Sequence, residues 1–260
     1  MKHVKGLNKR LFRIISLALL LALVLTSISP GIARADPGPG DFTCKIKASG
    51  GDYNKLSDWE AAIQSDLTSS ASKVFSVSSI ANGGIADGKA CTGLTSGATG
   101  TFKHLLADQS KCYIVVCSGI FQSGETIKQD DDASKTVTIS DAGVQIGAAI
   151  AECYAMQDTT AVTINGWTTN STHYIKIYTP TSERHDGKWN TSKYRLEVTN
   201  NYGIVVSEEF VRIEGLQVKL TNSSGNDHYA IHLTNVCGAE LRVSHCIRAD
   251  SHFAITSFRR

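Results

Sequence analysis

The period of the apolar residues divides the chain. Leu56, Trp59, Ile63 and Leu67 fall at spacings of three, four and four, which places one apolar stripe along a short helix. Ser57-Asp58-Trp59-Glu60 has the order of a capping box, in which Ser57 accepts from the Glu60 N–H while Glu60 reaches back. One amphipathic helix ahead of a β-rich chain predicts a lid over something apolar. From Lys73 the text changes to β-branched runs, namely Val74-Phe75-Ser76-Val77, Tyr113 to Val116, and Thr136-Val137-Thr138-Ile139. Glycine-rich stretches at 82–84 and 95–101 supply the turns between them.

Past Val162 the pattern repeats. Segments 203–206 and 211–218 form one unit, 230–236 and 240–247 the next, and Phe253-Ala254-Ile255 opens a third. Arg212-Ile213 aligns with Arg242-Val243 at an offset of 30, and Ile231 with Ile255 at 24. Such offsets, with short alternating strands and Asn, Ser, Gly or Asp corners, indicate a solenoid of β-coils. Period two turns Ile231, Leu233, Leu241 and Val243 inward, and His232 and Arg242 to solvent. The runs are too short for a helical stripe.

Composition adds a compartment. The chain has 260 residues, 42% of them hydrophobic, which excludes intrinsic disorder and allows one large domain or two small ones. Six of the 26 basic residues lie in the first 35, where no acid occurs, which leaves 20 basic against 24 acidic. That balance disfavours a nucleic-acid partner. A basic start (2–13), an apolar run from Ile14 to Ile28, then Pro30, Gly31 and Ala33-Arg34-Ala35 read as a secretory signal cut after Ala35. The run is about 15 residues, short of the ~20 that span a bilayer, so the cleaved chain is expected outside the cytoplasm with no membrane span.

All seven cysteines follow the cut, in a compartment that permits disulfides, and an odd count leaves at least one without a partner in the chain. No CxxC pair or finger-like Cys/His spacing points to zinc. Cys112 and Cys117 flank Tyr113 to Val116 and read as small buried hydrophobes on a strand at least as well as a bridge. Asp130-Asp131-Asp132 reads as a solvated acidic turn rather than a calcium loop.

The segment 211–218, with coils ending in Ser244-His245-Cys246-Ile247, resembles the right-handed parallel β-helix group that includes pectate-lyase-like proteins. The start Ser49 to Tyr53 with Trp59-Glu60-Ala61-Ala62, and the later Tyr174 to Tyr178 with Glu183 to Gly187, are similar to secreted members of that group. The resemblance implies a mainly β fold, a right-handed parallel β-helix solenoid with an N-terminal capping helix. Residues 95–101 with 118–125 are similar to a small β-module of phage structural proteins, which implies an inserted binding or spacing module. The expected organisation is a signal peptide over 1–35, a linker over 36–41, a cap segment over 42–71, an inserted β-module over 72–140 and the start of a β-helix over 141–260. The chain stops shortly into a third coil at Arg260, so C-terminal truncation is expected, or else an open end that pairs with a second copy.

Three polar clusters are candidates for chemistry. Arg184, His185, Asp186 and Lys188, with Glu183 and Trp189, contain the residue types of a β-helix lyase. There, as the resemblance implies, acids hold Ca2+ against an acidic sugar and an Arg or Lys removes the proton. The bland alternative is a charged turn around Asp186-Gly187. His228, His232, His245 and His252, with Asp227 and Asp250, form a second set; His232 and His245 lie on successive strands and are able to share a face. Glu208, Glu209 and Glu214 form a third, although neighbours on a strand point to opposite faces. No other cofactor motif is present. The sequons at Asn170, Asn190 and Asn222 read as turn formers. The leading expectation is a secreted polysaccharide-binding protein; a polysaccharide lyase or glycoside hydrolase and a structural surface or virion-like fibre are the alternatives.

Overall fold

The computed structural model describes residues 40–221, 228–234 and 240–249. The segment expected to be a signal peptide, most of the expected linker, Asn222, Asp227, Cys237, Asp250, His252 and the expected third unit at Phe253 lie outside the described residues.

Strand β1 (Phe42–Ile46) and helix α1 (Leu56–Ile63) precede seven strands: β2 (Ser72–Ala81), β3 (Ala90–Gly93), β4 (Thr99–Leu105), β5 (Lys111–Ser118), β6 (Thr126–Gln129), β7 (Thr136–Ile139) and β8 (Val144–Gln145). These seven pair antiparallel in the order β5-β4-β3-β6-β7-β2-β8, and β2 also pairs with β5. The pairings β2–β5–β4–β3–β6–β7 therefore return to β2, and the strands enclose a core of their own around Phe75, Phe102, Ile114, Phe121, Ile127 and Val137. Strict alternation builds it: in Thr136-Val137-Thr138-Ile139 the two aliphatics are buried and the threonines are not. The segment begins and ends at one place, since Lys73 pairs with Gln145 and the Ile146 N–H donates to the Ser72 carbonyl at 2.9 Å.

Beyond it the chain runs through β9 (Ala148–Cys153), β10 (Gln157–Asp158), β11 (Val162–Ile164), β12 (Tyr174–Tyr178), β13 (Arg195–Thr199), β14 (Ile204–Val206), β15 (Val211–Glu214), β16 (Gln217–Thr221), β17 (Ile231–Leu233), β18 (Leu241–Ser244) and β19 (Ile247–Ala249). Every pairing here is parallel. Three sheets result, β1-β9-β12-β15-β18, β10-β13-β16-β19 and β11-β14-β17, and from β9 onward the chain visits them in fixed rotation. The fold is mainly β. Arg212 stands opposite Arg242 and Ile213 opposite Val243, so the thirty-residue offset of the sequence is a ladder register. Ala149, Ile175, Ile177, Val211 and Ile213 from the first sheet meet Leu196, Val218, Ile164 and Ile204 from the others in one apolar core.

Helix α1 packs on this core. Leu56, Trp59 and Ile63 are fully buried, as the stripe predicts; Leu67 is buried as well, but it lies past the end of the helix, which stops at Ile63. The capping box is not formed. Ser57 lies inside the helix, and Lys55 at the cap makes no side-chain bond. The Leu56 N–H instead donates to Asp158 Oδ2 at 2.8 Å, a partner 102 residues away. Glu60 faces inward, where a carboxyl group needs donors, and it finds the Asn165 N–H at 3.1 Å and Trp167 Nε1 at 3.0 Å. Burial, with Glu208 nearby, pushes its pKa up in spite of these two donors.

Strand β1 ends its sheet, and the loop after it covers the free edge. The Lys45 N–H donates to Asp52 Oδ2 at 2.5 Å, and the Asp52 and Lys47 N–H groups bond the Lys45 and Tyr53 carbonyls at 2.8 and 2.9 Å. An edge strand so covered cannot pair with a stray chain. Among the described residues no helix is long and apolar enough to cross a membrane.

Candidate functional site

The outward face of the five-stranded parallel sheet concentrates charge and aromatic surface. Period two in β12 turns Ile175 and Ile177 into the core and leaves Tyr174, Lys176 and Tyr178 on the other side. Parallel register then aligns neighbours. Lys176 stands opposite Arg212, and Arg212 opposite Arg242, so three cations form a row across strands about 4.8 Å apart. A second row runs Lys45, Glu152, Tyr178, Glu214 and Ser244.

The side chains of this strip hold one another in place. The Tyr178 hydroxyl donates to Glu152 Oε1 at 2.6 Å and the Tyr154 hydroxyl to Oε2 at 3.0 Å. The Arg212 guanidinium lies 3.7 Å from the centre of the Tyr174 ring, and Lys176 Nζ lies 4.4 Å from that of Tyr178. Cations so placed are attracted to the ring faces and keep both groups oriented. Glu240 binds Arg212 at 3.1 Å and Arg242 at 2.7 Å; the Arg242 side chain is nevertheless 64% exposed. Burial raises the Glu214 pKa, but its bond from Arg184 and the charges of Lys176 and Arg184 outweigh that and hold it below the usual range.

A long connection, residues 179–194, folds beside the strip. Arg184 Nη2 donates to Glu214 Oε1 at 2.9 Å and to the Thr179 carbonyl at 3.2 Å. Gly215 (φ +76°) makes room, since a Cβ there would sit 2.3 Å from Arg184 Nε. His185 Nε2 donates to the His245 carbonyl at 2.7 Å while its Nδ1 accepts the Gly187 N–H at 3.1 Å. The base of the connection is pinned by Gln217, fully buried, which accepts the Asn190 N–H and donates to the Asn190 and Tyr194 carbonyls. A Gln217→Leu variant strands these groups and is expected to cost about 2–3 kcal/mol. Protease cutting within 181–189 at native conditions should rise with it, and unchanged cutting would refute the pinning role.

The four lyase-type candidates are therefore divided. Arg184 joins the strip and His185 is tied to the backbone. Asp186 and Lys188 are exposed at the tip of the connection and take no part in that network. The histidine set does not gather either. His232 stacks on Tyr202 with ring centres 4.4 Å apart, and His228 meets the same ring edge-on at 5.3 Å, in or next to the three-stranded sheet. His245 follows β18 of a different sheet, so His232 and His245 do not share a face. His232, read as facing solvent, is half-buried among those rings. Glu208 accepts the Trp167 N–H at 2.9 Å, while the Glu209 carbonyl accepts the Thr169 hydroxyl at 2.8 Å. Among the described residues no group of three His, Cys, Asp or Glu side chains is placed to hold a metal ion.

The six described cysteines are free thiols. Burial pushes the pKa values of Cys44, Cys112 and Cys153 well up and that of Cys91 to about 12, so none of these four is a thiolate at neutral pH. Asn170 and Asn190 both close turns onto the hydroxyls of Thr172 and Ser192. In the acidic turn Asp131 pairs with Lys89 at 2.7 Å, and Asp132 accepts from Ser134.

Sequence reasoning missed Glu152, Lys176, Tyr178 and Arg212 as a group. Their signal was the alternation Tyr174-x-Lys176-x-Tyr178, but the partners on the flanking strands follow only from register. Comparison of the chain with protein-family models, curated proteins and solved structures finds no match.

Proposed function

We propose that the protein is a secreted right-handed parallel β-helix that binds polysaccharide at a cell or particle surface through the outward face of its five-stranded sheet. The rotation of the chain through three parallel sheets supports the β-helix, and the strong preference of parallel crossovers supports its hand. The basic, apolar and small-residue order of the first 35 residues supports secretion. The observation that carries the binding role is the register-aligned row of Lys176, Arg212 and Arg242 beside Tyr174 and Tyr178. The cations offer hydrogen bonds and charge to sugar hydroxyls and carboxylates, and the Tyr174 and Tyr178 rings beneath Arg212 and Lys176 hold two of them in place.

Together with Arg184 the row gives four cations against Glu152, Glu214 and Glu240, so an acidic polymer is favoured over a neutral one. Titration with a panel of neutral and acidic polysaccharides should show binding that weakens with salt. Arg242→Ala, which removes the most exposed cation, should weaken binding about tenfold, equivalent to about 1.4 kcal/mol. Asp186→Ala and Lys188→Ala should leave it unchanged, whereas a lyase acting through that tip would lose activity with either. Absence of binding to any polymer in the panel would remove the proposal.

A further inference from the structure

We propose that His104 is a proton-dependent latch that fastens segment 106–108, and with it the antiparallel sheet, to the loop after β1. His104 lies on β4 and is only 8% exposed. Its Nδ1 is 3.0 and 2.9 Å from the two carboxylate oxygens of Asp87, in the β2–β3 connection. Its Nε2 is 3.4 Å from Oδ1 of Asp52, in the loop after β1. Only the doubly protonated ring donates at both nitrogens. The charged imidazole therefore joins two chain segments through two acids.

The remaining charged and polar groups around the ring agree with this state. Tyr53 lies against the imidazole with centres 4.6 Å apart, and its hydroxyl donates to Asp87 Oδ2 at 3.1 Å. Burial raises the Tyr53 pKa, so the phenol stays neutral while His104 titrates. Phe42 meets the ring edge-on at 6.3 Å, and Cys44 beneath is a buried thiol of raised pKa. Lys103, the preceding residue on β4, feels the charge of Asp87, but burial outweighs that and lowers its pKa. Lys45 lies 3.8 Å from Asp108 at the far side of Asp52.

Loss of one proton acts unequally on the two contacts. The closer acid, Asp87, keeps the remaining N–H at Nδ1. Nε2 then becomes an acceptor facing Asp52, whose side chain is 3% exposed, and lone pair meets lone pair. Asp52 also accepts the Ala107 N–H on Oδ1 at 2.6 Å and the Lys45 N–H on Oδ2. Release of Asp52 thus frees Ala107 first, at a concavity of about 150 Å³ lined by Thr43, Lys45, Asp52, Leu106 and Asp108.

The direction with pH follows. Burial lowers the His104 pKa, but its bonds to Asp52 and Asp87 and their charges outweigh that and raise it from 6.5 to about 9. Its contribution to stability is complete below pH 6.5 and is lost as pH rises through about 9. Burial raises the Asp52 pKa, but the His104 bond and its two backbone donors hold it below 3.8. Its contribution is present above 3.8 and fails only in stronger acid, so the latch is shut across neutral pH.

The test is an NMR titration of the full chain from pH 6 to 11, following the His104 ring and the amide protection of Ala107. The expected result is one midpoint near 9 for both, with protection retained in the β4–β5 ladder. Asp87→Asn, at a partly exposed position, should lower the His104 midpoint by about a unit or more. His104→Gln should leave Ala107 unprotected already at neutral pH. A wild-type His104 midpoint near 6.5, or Ala107 protection that does not change as His104 titrates, would overturn the latch whatever the variants do. The result is independent of polysaccharide binding.

Discussion

An Asp158→Ala variant is expected to lose about 3 kcal/mol or more of stability. Asp158 is 1% exposed and takes three donors: the Leu56 N–H at 2.8 Å and the Tyr194 hydroxyl at 3.3 Å on Oδ2, and the Thr160 N–H at 3.0 Å on Oδ1. Removing the carboxyl group leaves three donors without an acceptor, two of them buried, and each such group costs about 1–3 kcal/mol. The orphaned Leu56 N–H among them is the one that caps the first turn of α1. Asp158→Asn should lose roughly half as much. Its single oxygen serves either Leu56 and Tyr194 or Thr160, and its NH2 then faces a donor. Urea unfolding followed by far-ultraviolet circular dichroism gives the comparison. A loss below about 1 kcal/mol for the alanine variant would show that water replaces the carboxyl group at little cost.

Trp59→Ala should be the most damaging single change in the core, at about 3–5 kcal/mol. The indole is fully buried and lies 5.8 Å from the ring of Trp167, centre to centre. It joins α1 to the first turn of the parallel stack, and Leu56, Ile63 and Leu67 close around it. Alanine leaves a cavity that these neighbours cannot fill without moving the helix. Trp59→Phe keeps most of the volume and should cost roughly half as much. The denaturation midpoint should fall with no change of slope, since the surface exposed on unfolding is nearly the same. Equal stability of Trp59→Ala and wild type would mean that the helix does not seal the core.

What was readable in the sequence is what depends on period. The apolar stripe required only four residues, and all four are buried, the last of them, Leu67, beyond the end of α1. The Arg212–Arg242 alignment required only an offset, because stacked parallel strands place repeats side by side. What failed depends on distant partners. Ser57 and Glu60 satisfy the local pattern of a cap, yet Asp158 supplies the acceptor and Trp167 draws Glu60 inward. Neither competitor is visible within a window of a few residues. The strip was half legible, since Tyr174 and Tyr178 share a face by alternation alone. Glu152 reaches Tyr178 only because β9 and β12 are neighbours in a given register. His104 carried no signal at all: Asp52 and Asp87 approach it from 52 and 17 residues away.

The meeting of the two ends of the antiparallel sheet bears on how the chain assembles. Strand β1 is made early, but its sheet partner β9 begins about a hundred residues later, with Phe42 opposite Ala149. A loop of that length would make the pairing a slow search. The intervening strands pair with one another and need neither β1 nor β9 to do so. Once they have closed, the Ser72–Ile146 bond holds the two exits together, and the stretch left to search shrinks from about a hundred residues to the roughly 25 between Ile46 and Ser72, part of which is helix α1. The inserted sheet thus serves as a splint for the strand that precedes it, and lengthening its outer turns should leave the docking rate of β1 almost untouched.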